Sequence, residues 1–593
     1  MAFRRRIMGT RIAIGVVLTI GALSGTVARP QGFGDYPVIY RPAKGAKDLR
    51  AVLFNWTWYM GMLRGIDEHE LISSLEYQGK GVIQVDGQPC TLTKYRVSTS
   101  YQTPGQRVQY RCTRSNGQTY SEIEVVSGHY AWDEDIAGAE IVPGKGKATP
   151  MPGAVEERLI RLWTSPQGAP KAAIASLPNA TLGANPGTLL KDGVDKAGET
   201  SLSWEGGKPV LTYPIPGVPG AIASATLNDK YMAERVVVKH GSKTTEFTYG
   251  DYQDWNNPLN KVDALYAGKI MERHDGTVVR DLTTVQTETG SVYVVIPVPP
   301  SVRAAIHVAA QQPSALERLE ALEASEGTAP RVAGSLAQIS SDNPETPRFA
   351  NGHPDLTGNW NYNAMNWRYG NRRCDPTQQE GCSRALNQTM DFEFEAPSRY
   401  GPNRPLYKPE YWDKVQELDM WTNKNDPVMT CQPLGVPREG PPRRIVQSAN
   451  DIIFFYGEYV DGGGGYGEYR VIPTDDRKHD PTKAIESTYM GYTVGRWEGD
   501  TLVLDSISFV DTTWLARGGF FHSDQMHVIE KLTRKGNKIL YEVTVDDPEV
   551  LAEPWVMTPR TLTLSTFPDA GLLRERGNCE VYEIKDISSQ IRH

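Results

Sequence analysis

The sequence predicts a mainly β protein made of two successive units: a long antiparallel sheet accompanied by helices, then an antiparallel β-barrel or meander. Three observations carry that expectation. Short runs of strand-forming residues recur along the chain, punctuated by turn pairs such as Asp86-Gly87, Asn116-Gly117 and Gly536-Asn537. Helical periodicity is confined to a few short stretches. Between 299 and 351 the texture changes to Ala, Ser, Glu, Pro and Gln, which reads as a linker between units. At 593 residues the chain also exceeds what one core normally supports.

The N-terminus comes first. Arg4, Arg5, Arg6 and Arg11 precede an apolar run over 12–23 and the small-residue sequence Ser24-Gly25-Thr26-Val27-Ala28. This pattern predicts a secretory signal peptide over 1–28, and export to the periplasm or the medium. The apolar run is shorter than the about 20 residues that cross a bilayer, so no integral membrane span is expected once it is removed. Charged residues are 23% and hydrophobic ones 39%, the balance of a globular chain. A net charge of -8, with no basic run beyond the first dozen residues, argues against nucleic acid as a partner.

Six cysteines fit an oxidising compartment, and no Cys-x-x-Cys offers a zinc or redox alternative. Their spacing suggests Cys90–Cys112 on neighbouring strands, Cys374–Cys382 across a polar loop, and Cys431–Cys579 bracketing the last unit.

The first unit is expected over 31–300. Leu49, Val52, Leu53, Trp56, Met60 and Leu63 recur at helical spacing, with Gly65 as a stop. Strands are expected at 71–85, 92–100, 107–113, 120–126 and 130–133. A second helix is expected at 155–163, and further strands at 201–204, 210–213, 222–227, 233–239, 243–249, 277–286 and 292–296. Laying a helix across a long antiparallel sheet buries a face of each. The stretch from Ala223-Ser-Ala-Thr-Leu-Asn-Asp-Lys-Tyr-Met to Val238-Lys-His, continued by Thr245-Glu-Phe-Thr-Tyr-Gly-Asp-Tyr, resembles the LolA/LolB-type half-barrel. That resemblance implies a periplasmic fold carrying lipophilic cargo on a concave sheet face. A β-domain that merely supports its neighbour is the alternative.

After a linker over 301–350, with one short helix expected at 315–324, the second unit spans 351–593. Its strands are expected at 444–447, 451–456, 469–473, 492–497, 501–509, 526–533, 539–545, 561–566 and 580–584, the sequential hairpins of an up-and-down barrel. Asp355-Leu-Thr-Gly-Asn-Trp, Cys431-x-Pro-x-Gly-x-Pro-Arg, Gly495-Arg-Trp-Glu-Gly-Asp-Thr-Leu-Val, Phe521-His-Ser-Asp and His527-Val-Ile-Glu resemble a large family of exported, lipocalin-like bacterial proteins without assigned activity. The resemblance implies architecture and compartment only.

Candidate chemistry concentrates between 491 and 555. His522 and His527 can converge only if His522 lies in a loop and the strand starts near Met526; His527 then shares no face with Glu530. With Asp505, Asp511 and Glu530 they form the candidate catalytic set, as acid, base or orienting groups. Asp505 interrupts an apolar strand face and needs a partner, for which Arg470, Arg496 and Arg534 are candidates. Asp500, in a tight turn, is expected to cap backbone amides. Arg470, Arg477, His479, Arg496, Trp497 and Trp514 are candidate ligand-binding residues, with the polar loop of Arg477 and His479 expected at a barrel mouth. For each histidine, a satisfied hydrogen bond to backbone is the competing reading.

Gly462-Gly-Gly-Gly-Tyr-Gly467 satisfies the letter of a dinucleotide fingerprint but precedes a strand, so it reads as a glycine loop. No sequence pattern requires a cofactor or metal. The expected function is an exported protein that binds or carries a hydrophobic small molecule. A lyase, isomerase or hydrolase in the second unit is the alternative, and a structural module of the envelope a third.

Overall fold

A computed structural model describes residues 45–62, 72, 74–101, 104–176, 196–255, 265–289, 291, 293–306, 345–361, 404–420, 426–456, 468–516, 518–557 and 560–565. The fold is mainly β, with two large antiparallel sheets and few helices.

The first sheet has fourteen strands and is assembled from two meanders. One runs from Ser74–Val85 outward to an edge at Ala148–Pro150; the other runs from Lys196–Ala197 to Thr277–Thr289. The first strand of one pairs with the last strand of the other, from Leu75 opposite Thr289 to Ile83 opposite Arg280. Gly81 makes that junction possible. Its φ is +146°, and a Cβ there would fall 2.0 Å from the Asp281 carbonyl oxygen. At the Asp86-Gly87 turn both residues take positive φ, as a tight hairpin linking Ser74–Val85 to Gln88–Ser100 requires.

Three helices pack into this sheet's apolar core, and a fourth, Pro300–Ala305, meets its edge strands Tyr130–Glu134 and Ala148–Pro150. The helix Leu49–Tyr59 starts where the Asp48 carboxylate accepts from the Ala51 amide at 2.9 Å. It ends earlier than its periodicity predicts, with Gly61 left-handed just beyond it. Val155–Thr164 lies close to its expected position, and Leu159, Leu162 and Trp163 pack into the sheet's apolar core. The third helix, Gly168–Ala175, is absent from the sequence reading because Gly168 and Pro170 hide it; both lie in the first turn, where proline is tolerated.

The second sheet has ten strands. Its path runs from an edge at Tyr469–Pro473 through Asp451–Phe455, Arg444–Gln447, Gly358–Asn361, Arg560–Leu564, Lys538–Asp546, His527–Lys535 and Thr501–Ile507 to an edge at Tyr492–Glu498, and the tenth strand, Trp555–Val556, pairs with Lys538–Asp546 off that path. The two edges approach until the sheet is a nearly closed barrel. Arg470 Nη1 donates to Thr493 Oγ1 at 3.3 Å, and a Cβ on Gly495 would lie 3.1 Å from the Pro473 carbonyl oxygen.

The units share a core. Val125, Trp132, Tyr293 and Val298 pack in one apolar cluster with Tyr407, Trp412 and Phe520. Arg404 ties the units together by donating to Ser74 Oγ at 3.2 Å and to the Ser291 carbonyl at 3.0 Å. The expected Cys90–Cys112 disulfide is formed. Cys374, Cys382 and Cys579 lie outside the described residues, as do the signal segment, the glycine loop and the helix expected at 315–324. Among the described residues, no helix is long and apolar enough to cross a membrane.

Candidate functional site

The strand His527–Lys535 alternates as its sequence predicts: Val528, Glu530 and Leu532 turn into the barrel, while His527 and Lys531 turn out. Glu530 is fully buried, and Arg470 meets it with two bonds of 2.6 and 2.8 Å. The Tyr541 hydroxyl donates to the same carboxylate at 2.7 Å, and Arg470 Nε donates to the Tyr456 hydroxyl at 2.7 Å. Burial disfavours the Arg470 cation, but the Glu530 carboxylate outweighs it and holds the guanidinium above its ordinary pKa. The network is satisfied and buried, so Arg470 and Glu530 brace the barrel, while Arg470 also borders, with Arg477, an open cleft of about 460 Å³. The barrel interior that the sequence offers as an aromatic cargo cavity is occupied here by this network and by Phe454, Tyr456 and Tyr541.

On the outer face, Asp505 finds a histidine rather than one of the three candidate arginines. His527 Nε2 lies 2.8 Å from Asp505 Oδ1. His479 Nε2 approaches the same oxygen to 3.8 Å and sits 3.1 and 3.2 Å from the carbonyls of Asp505 and Tyr492. The hydrogen bond from His527, helped by the nearby charges of His527, His479 and Arg496 and opposed by burial, holds the Asp505 carboxyl below the usual carboxylate range. The same bond, against burial, raises the His527 imidazole above its ordinary value.

His522 lies elsewhere. The short hairpin of Trp514–Ala516 and Phe520–Phe521 carries it toward the helix Trp412–Met420, where Gly519 fits against Val415 and Asp419. Its Nδ1 donates to the Ser523 carbonyl at 2.8 Å and its Nε2 accepts from the Thr513 hydroxyl at 2.7 Å. Burial pulls its pKa down and keeps it neutral. Asp547 pins the next residue, accepting from the Ser523 amide at 2.7 Å and its hydroxyl at 2.8 Å. His522 and His527 therefore serve different partners, and the expected convergence does not occur. With Asp511 and Trp514, His522 lines an open cleft of about 640 Å³ beside Tyr411 and Phe521.

The remaining expected ligand residues are engaged locally. Arg477 holds Asp475 and Arg496 holds Glu498, both exposed pairs. Trp497 stacks on His353 at 4.6 Å.

One site escapes the sequence reading. Beneath the helix Val155–Thr164, one face of the first sheet borders a pocket of about 30 Å³ lined by Tyr77, Tyr95, Tyr101, Phe247, Tyr249 and Tyr266. Its polar end is an ionic cluster. Arg161 donates to Glu124 at 2.9 Å, Arg280 to Glu272 at 3.2 Å, and His274 Nε2 lies 2.7 Å from Glu272. Burial raises the pKa of the Tyr77, Tyr249 and Tyr266 phenols. At Glu272 the opposite happens: Arg280 and Arg161 outweigh burial and keep the carboxylate ionised. The available signal was period-two spacing of large aromatics, Phe247 with Tyr249 and Tyr95 with Tyr101.

In comparisons with known proteins, no family model and no curated protein matches this chain.

Proposed function

We propose that this protein is an exported carrier that binds a hydrophobic small molecule against the concave face of the first sheet, under the helices Val155–Thr164 and Gly168–Ala175. One observation carries the reading: that interior is lined by five tyrosines and an ionic cluster where an ordinary sheet core would use aliphatic residues. Buried hydroxyls are costly unless bonded, and the Tyr213 hydroxyl, also in this core, has no hydrogen-bond partner among the described residues. A cargo with an apolar body and one hydrogen-bonding group matches such a lining. The charges at the polar end balance locally, so a strongly anionic head is not required.

About 30 Å³ holds little more than one water, so loading requires the helices to lift. Arg158 and Arg161, which clasp Asp133 and Glu124 at 2.6 and 2.9 Å, then act as the latch. The resemblance of this unit to periplasmic lipophile carriers agrees with the assignment, as does an oxidised Cys90–Cys112 pair with export.

Titration with an environment-sensitive apolar fluorophore tests it. Saturable binding that is weakened about tenfold in Leu282→Trp, which fills the pocket, is the expected result. Absence of saturable binding, or binding indifferent to that variant in a protein with unchanged circular dichroism, contradicts the reading.

A lyase, isomerase or hydrolase is the second reading, favoured by the His527–Asp505 pair. Its expected parts are dispersed, with Glu530 inside the barrel and His522 and Asp511 on a separate cleft.

A further inference from the structure

We propose that His479, Asp505 and His527 form a binding site for a divalent transition-metal ion on the outer face of the barrel, independent of the cargo site. Three separate segments supply the donors. Asp505 comes from the strand Thr501–Ile507 and His527 from the start of the adjacent strand His527–Lys535. His479 comes from the loop that follows Tyr469–Pro473 and folds back against Thr501–Ile507 and its other neighbour, Tyr492–Glu498. Two imidazole nitrogens thereby face one carboxylate oxygen, at 2.8 and 3.8 Å.

Two imidazoles and a carboxylate are the donor set of zinc, and of nickel or copper, and they leave a fourth position for solvent. Metal–ligand bonds of about 2.0–2.1 Å place tetrahedral donors roughly 3.4 Å apart. The two histidine-to-carboxylate separations, 2.8 and 3.8 Å, bracket that value, while the His479 and His527 nitrogens stand more than 4.8 Å apart and must close on the ion. An arriving ion replaces the proton between His527 and Asp505, and His479 leaves its two carbonyl partners to swing inward. The side chains are 19, 27 and 38% exposed for His479, Asp505 and His527, so the ion enters directly from solvent.

Local charge favours a cation. Asp546 stands opposite His527 in the strand register and adds a second carboxylate to the neighbourhood. The nearest guanidinium acting on Asp505, that of Arg496, is taken up by Glu498. The cluster Glu157, Glu272 and His274 is an instructive contrast. Its donors lie within 4.8 Å of one another, yet Arg280 and Arg161 already press on Glu272 at 3.2 and 3.5 Å. Two guanidinium charges in that shell repel a metal ion, whereas the barrel site has none in hydrogen-bonding contact with its carboxylate.

Calorimetric titration of chelator-treated, tag-free mature protein with Zn²⁺ tests the assignment, with Co²⁺ absorption as a second readout of the ligand field. The expected result is one ion per chain, bound about tenfold or more weakly in each of His479→Gln, Asp505→Asn and His527→Gln, and unchanged in His274→Gln. His479→Gln is the decisive variant, because His479 lies in a loop and its loss leaves the His527–Asp505 bond in place. Failure to take up a stoichiometric ion at about 100 μM Zn²⁺ overturns the proposal. So does uptake that none of the three barrel variants weakens, or uptake lost in His274→Gln.

Discussion

Arg470 and Glu530, sixty residues apart, form a two-bond ion pair inside the barrel, and this pair joins its open edge to its far wall. Arg470 stands on the edge strand Tyr469–Pro473, whereas Glu530 stands on His527–Lys535, two strands in from the opposite edge. The sheet is thus drawn closed by side chains where backbone pairing is missing.

Removing one partner should be far worse than removing both. Glu530→Gln or Arg470→Met leaves a buried charge unpaired and is expected to cost about 3–5 kcal/mol. The double variant Arg470→Met/Glu530→Leu should recover a large part of that loss. Denaturant midpoints of the four proteins measure the coupling, and additive losses would contradict the bracing role.

Gly81 should not tolerate a side chain. Alanine there must adopt φ near +146° with its Cβ against the Asp281 carbonyl, so Gly81→Ala is expected to cost at least about 2 kcal/mol. Because this residue sits where the two meanders meet, amide exchange should accelerate on both Ser74–Val85 and Thr277–Thr289. A change confined to one strand would argue against a shared junction.

The outer His527–Asp505 pair sets a pH dependence of known sign. The His527 imidazole is raised in the folded protein, so its contribution is complete below about pH 6.5 and is lost as pH climbs through the raised value. Asp505 is depressed, so its contribution is complete above about pH 4 and is lost as pH falls through the lowered value. His522, lowered by burial, works the other way from His527: it stabilises above about pH 6.5 and loses that contribution on acidification. Histidine NMR titrations should therefore show His527 above and His522 below the ordinary value. In Asp505→Asn the His527 midpoint should fall while that of His522 stays put.

The Cys90–Cys112 bridge closes a separation of 22 residues within adjacent strands of the first sheet. The paired variant Cys90→Ala/Cys112→Ala should lose about 3 kcal/mol in the unfolding transition of that sheet. Coincident loss at the barrel transition would show that the shared core couples the two units.

Much of the architecture was legible because strand alternation and turn chemistry are local. The His527/Glu530 split across two faces follows from period two alone, and it holds in the structure. Long-range partnership was not legible. Asp500 was expected to cap its own turn, yet it binds Arg348, 152 residues away, with bonds of 2.6 and 2.8 Å. Asp505 was expected to need a partner, with three arginines as candidates, and found His527, because alternation fixes the face of a residue but not which neighbouring strand supplies its partner. His522 and His527 were five residues apart and looked like one site, but a tight aromatic hairpin sends one inward. The tyrosine-lined pocket was invisible for a related reason: its residues come from both meanders and become neighbours only when the first and last strands pair.

The carrier assignment rests most directly on whether the protein holds cargo. Native mass spectrometry of the mature protein purified from its own cells, before and after organic extraction, measures this. A discrete organic mass that extraction removes, and that Tyr266→Ala loses, is the predicted result. A bare polypeptide mass under both conditions, from protein that also fails to take up added lipophiles, would contradict it.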